Sequence, residues 1–142
     1  VLHSTIHEWG HFAGARLSGA VSPVLEEPRK NFFMIDFAMD QNDTRQFLWM
    51  SWGGILAPWL AVLAVAILVP FDTLGAIVLL ATLIAKAAGT SLFEGPIALG
   101  TARSGDPSGE LSRSVSAGGI QRGRNIGAVV GLASFALIWL AV

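Results

Sequence analysis

At 142 residues, with 53% hydrophobic and only 13% charged residues, the chain is the size of one domain and carries about half the charge of a soluble fold. So little charge cannot cover the surface of a soluble protein this small, and a mean hydropathy of +0.60 points to a lipid bilayer as the solvent. A net charge of −1 leaves no basic face for a nucleic-acid partner, and the absence of cysteine leaves only nitrogen and oxygen donors for a metal.

The first element is a helix over residues 1–20, but His3, His7, Glu8, His11 and Arg16 prevent it from being a simple lipid-facing span. Only six residues precede His7, so an upstream segment is expected, and no intact signal peptide is visible. Residues 20–46 are polar apart from the strand-like run 31–40, which predicts a short β-hairpin at the membrane surface. Residues 47–69 form an uncharged apolar run of 23 residues, reaching about 35 Å, enough to cross a bilayer core. Trp49, Trp52 and Trp59 read as interfacial anchors there, and Gly53, Gly54 and Pro58 as a site of close packing or bending.

A turn over 70–73, with Asp72 or Thr73 as the cap, leads into a helix over 74–92. Its Lys86 reads as a lysine near the end of a span that snorkels to the headgroups. Residues 101–124, rich in Gly, Ser and Arg, read as an exposed loop, and 125–142 as a further span with a Gly127/Gly131 packing face. The expected fold is an all-α membrane protein of about four transmembrane helices, with the β-hairpin between the first two. It divides into a core over 1–100, a loop over 101–124 and an additional helix over 125–142.

Charge placement predicts the orientation. If 47–69 and 74–92 form a helical hairpin, every Lys and Arg except Lys86 lies on one face, which the positive-inside rule makes cytoplasmic. A bacterial inner membrane or an organelle membrane is the expected location.

The chemistry lies in His7-Glu8-Trp9-Gly10-His11. Histidines four residues apart project from one helix face and can converge on one ion, while Glu8 is rotated by about 100° and stands beside it. Two neutral imidazoles and a carboxylate leave a fourth position open on zinc, and Glu8 is the expected base that takes a proton from water and passes it to the leaving amine. His3 lies eight residues from His11, about 12 Å along the helix, so it is read as supporting the site from outside the ligand set.

Residues 7–19 resemble the first core helix of the site-2 protease family of intramembrane zinc metalloproteases, in which an H-E-x-G-H-F signature is followed by small residues, an arginine and a glycine. Residues 45–58 are similar to the second core helix, and 31–40 stands in the place of the family's β-hairpin. The resemblance implies a third zinc ligand late in the third core helix, an aspartate of L-D-G preceded by N-x-x-P. This chain has neither motif. Phe93-Glu94-Gly95-Pro96 is the nearest match, making Glu94 the implied ligand, with Asp106 as second candidate. Glu94 falls near the interface if the helix over 74–92 is unbroken, so unwinding at Gly89 and Gly95 is expected to carry it inward.

The expected function is zinc-dependent cleavage of a transmembrane segment of a partner protein. The alternative is a catalytically inactive relative that serves as a structural or assembly subunit among neighbouring subunits of a membrane complex. A metal or proton transporter built on the histidine stripe ranks below both, because the other spans offer no polarity besides Lys86.

Overall fold

A computed structural model describes residues 1–26 and 36–142. The described residues form five helices: α1 (Leu2–Leu17), α2 (Thr44–Leu68), α3 (Leu74–Ser104), α4 (Pro107–Ser116) and α5 (Gly119–Ala141). Three of them, α2, α3 and α5, are long and apolar enough to cross a membrane, so this is an all-α fold of membrane-protein character. The expected count of four spans is not met among the described residues. Helix α1 has 16 residues, about 24 Å, and it carries His3, His7, Glu8, His11 and Arg16.

Helix boundaries follow local chemistry. Gly19, at φ 73°, ends α1, with its N–H donating to Arg16 O and that of Ala20 to Ala15 O, a left-handed stop that satisfies two terminal carbonyls. Asp43 starts α2 through a reciprocal box, in which Gln46 N–H donates to its carboxylate at 2.7 Å and Gln46 Oε1 accepts from Asp43 N–H at 2.9 Å. Of the two caps expected for α3, Thr73 is used, accepting from Ala76 N–H at 3.2 Å.

Two expectations are corrected. Helix α3 does not end near residue 92 and does not unwind at Gly89 or Gly95; it continues to Ser104, where Gly105 at φ 71° closes it. At Gly89 the bare backbone packs against Gly123 of α5, and beyond Gly95 the buried Ile97, Ala98 and Thr101 hold the helix in place. The stretch 101–124 is not an uninterrupted loop, because Asp106 accepts from Gly109 N–H at 2.9 Å and Pro107 stands in the first turn, an arrangement that starts α4. The β-hairpin expected over 31–40 lies partly outside the described residues, and residues 36–40 carry no strand.

Small residues set the packing. A Cβ placed on Gly10 would strike Gly53 O and Ala57, and one on Gly14 would strike Trp49 O, so α1 and α2 touch backbone to backbone. Gly89, Gly123 and Gly127 bring α3 and α5 together in the same way. Helix α3 is central, with α2 and α5 both packed upon it. Trp59 Nε1–H donates to Ser91 Oγ at 2.9 Å, tying α2 to α3. The outer faces carry exposed Leu60, Leu63 and Ile67 on α2 and Val129, Leu132 and Leu140 on α5, surfaces suited to lipid rather than water.

Candidate metal centre

Residues His7 and His11, one turn apart on α1, face α2 and α3. His7 Nδ1 lies 2.9 Å from Gly54 O, and His11 Nδ1 lies 2.9 Å from Met50 O. A carbonyl oxygen only accepts, so each Nδ1 carries the proton and each Nε2 presents a lone pair. Both Nε2 atoms meet Glu94 of α3, with His7 Nε2 at 3.1 Å and His11 Nε2 at 3.5 Å from Glu94 Oε1, and 3.1 Å from each other. The side chains are 13%, 17% and 18% exposed, covered enough to fix their geometry yet open to a water molecule.

One of these carbonyls, Gly54 O, is available for a reason that the sequence of α2 states. Pro58 has no N–H, so Gly54 O, four residues earlier, lacks its helical donor and is free to accept from His7. Gly54 itself gives the His11 ring its place, because a Cβ there would overlap the imidazole. The Gly-Gly-Ile-Leu-Ala-Pro run was legible in the sequence as a place of packing or bending. Its part in orienting both imidazoles was not, since that depends on which helix faces it.

Three lone-pair donors turned towards one point form a group able to hold one metal ion. Zinc bonds to imidazole nitrogen and carboxylate oxygen are about 2.0–2.2 Å, and a tetrahedron with such bonds has edges of about 3.3–3.6 Å. The observed separations of 3.1, 3.1 and 3.5 Å match three such edges closely enough for small adjustments to complete them. Glu94 Oε2 is buried without a hydrogen-bond partner, an acceptor left over for the same purpose. His7, His11 and Glu94 are the group among the described residues with ligand atoms close enough to hold one ion. The donor set therefore fits zinc.

The remaining candidates are placed as follows. Asp106 is not part of the cluster; its carboxylate caps α4. His3 stacks on His7 with ring centroids 6.0 Å apart and planes 11° apart, and its buried Nε2 has no partner. It stands outside the ligand group, as its spacing predicted. Glu8 is partly buried and, with His7, lines a cavity of about 480 Å³ between α1, α3 and α5. Lys86, Thr90 and Arg124 line the same cavity, a role that the sequence did not disclose for any of them.

Compared with known proteins, the chain matches no family model, no curated protein and no solved structure.

Proposed function

We propose that this chain is an intramembrane zinc endopeptidase of the site-2 type, cleaving a transmembrane segment of a partner protein. The observation that carries the reading is the triangle of His7 Nε2, His11 Nε2 and Glu94 Oε1, whose sides of 3.1, 3.1 and 3.5 Å come within small adjustments of zinc-tetrahedron edges, with Glu8 on the wall of the adjoining cavity. The sequence resemblance of residues 7–19 and 45–58 to site-2 proteases supports it from a different direction.

Under this reading zinc held by His7, His11 and Glu94 would supply a Lewis acid for the peptide carbonyl and would lower the pKa of a water molecule towards neutrality. The chain's own residues do the rest. The Nδ1–H groups of His7 and His11 donate to Gly54 O and Met50 O, which fixes both rings with Nε2 turned towards Glu94. Glu94 contributes the anionic ligand from α3. Glu8 accepts the water proton at its carboxylate and delivers it to the departing amine nitrogen, so that one group serves as base and then acid. The apolar helices limit water around the site and offer a substrate helix a surface to lie against.

In this reading α1 lies within the membrane as a fourth helix beside three spans. The basic segments face the cytoplasm, in a bacterial inner membrane or an organelle membrane. The test is Glu8→Gln: zinc should remain bound at one ion per chain while peptide cleavage disappears. Retained cleavage would remove Glu8 from the mechanism.

A second reading has its own support, since the 3.1 Å contact between His7 and Glu94 also fits a pair joined by a proton. The protein would then be a non-catalytic assembly subunit, consistent with the missing L-D-G and N-x-x-P. Stoichiometric zinc in the purified protein rules out the proton-joined pair; its absence favours the assembly subunit.

A further inference from the structure

The cavity beside the cluster carries an unbalanced charge. Its wall includes Lys86 from α3 and Arg124 from α5, against the single carboxylate of Glu8. Neither cation has an ion-pair partner among the described residues. Two cations on one cavity wall without a protein counter-charge favour an anionic occupant between them. The glycine contacts Gly89 to Gly123 and Gly127 to Ala85 place Arg124 at nearly the same level of the helix pair as Lys86.

The position also sets a distance. Lys86 and Glu94 are eight residues apart on one helix, about 12 Å, which an extended peptide covers in about three or four residues at about 3.3 Å each. We propose that Lys86 and Arg124 form a carboxylate-binding subsite, so that the favoured substrates are apolar membrane segments bearing one acidic group about three or four residues from the cleaved bond. This names the substrate class of the site above and rests on the endopeptidase reading. The carboxylate comes from an acidic side chain or from a free C-terminus.

The experiment uses the full chain carrying Glu8→Gln, loaded with zinc in neutral detergent, and fluorescent peptides of Leu and Ala. One pair has Glu or Gln at the centre of roughly 20 residues with both ends blocked; the other has about half that length and a free or amidated C-terminus. The carboxylate form of at least one pair should bind about tenfold more tightly than its neutral twin, and Lys86→Gln with Arg124→Gln should bring the ratio within about twofold. A preference within the first pair assigns a side chain, and within the second a chain end. Equal binding of charged and neutral twins would overturn the subsite, as would binding that follows added anionic lipid instead of peptide charge. If the double variant does not fold, Lys86→Glu gives a second reading, since it should transfer the preference to a peptide with a central lysine. Cleavage by the unsubstituted protein is scored separately: uncut peptides with the binding preference intact remove the peptidase and leave the subsite, whereas cleavage without preference removes only the subsite.

Discussion

Helices α1 and α2 meet through Gly10, Gly14 and Gly53, and helices α3 and α5 through Gly89, Gly123 and Gly127, so both pairs use bare backbone to approach closely. Only the first seam orients imidazoles. The difference lies in what each seam brings to the contact. On one side of the α1·α2 seam stand histidines, and on the other a carbonyl released by Pro58 and a gap left by Gly54. The α3·α5 seam has neither; it builds a wall of the cavity and places Arg124 there. Close packing thus supplies nearness, and the proline and the glycine convert nearness into a fixed orientation of ligand atoms.

Breaking the seams separately should give the largest effects. Gly14→Leu forces α1 from α2 at the Trp49 backbone and should cost about 1–3 kcal/mol of stability, together with loss of zinc binding. Gly127→Leu should cost a similar amount, about 1–3 kcal/mol, while zinc stoichiometry is kept. Thermal unfolding and metal analysis of both variants check the contrast, and zinc loss in both would mean that the seams are not independent. Gly54→Ala comes next: the added methyl displaces the His11 ring, and zinc affinity measured against a competing chelator should fall about 10–100-fold. Pro58→Ala should be milder. It restores the N–H that competes for Gly54 O, and one shared hydrogen bond corresponds to a loss of affinity of up to about tenfold. Unchanged affinity in Pro58→Ala would show that the freed carbonyl does not matter.

Much of the site could be read from the chain because it rests on short-range spacing. His7 and His11 at four residues must share a helix face, and Glu94 was found beside them even though the family's aspartate motif is absent. The path by which Glu94 arrives was misread for a physical reason. A helix over 74–92 with unwinding at Gly89 and Gly95 is the expectation, yet Ile97, Ala98 and Thr101 beyond them are buried, and that burial sustains the helix to Ser104. Helix α4 was missed because its Gly and Ser content outweighed the Asp106-Pro107 start. The carbonyls of Met50 and Gly54 belong to every residue's backbone, and no sequence pattern states which of them a distant histidine will meet.

The central claim is that two imidazoles and one glutamate gather a single zinc ion. X-ray absorption spectroscopy at the zinc edge on the purified, zinc-loaded full chain, compared with Glu94→Gln, tests it most directly. The account predicts one zinc per chain with two imidazole nitrogens and oxygen ligands at about 2.0–2.2 Å, and a lost or altered oxygen shell in the variant. Zinc that is absent, that lacks imidazole scattering, or that has the same shell in both proteins would contradict it.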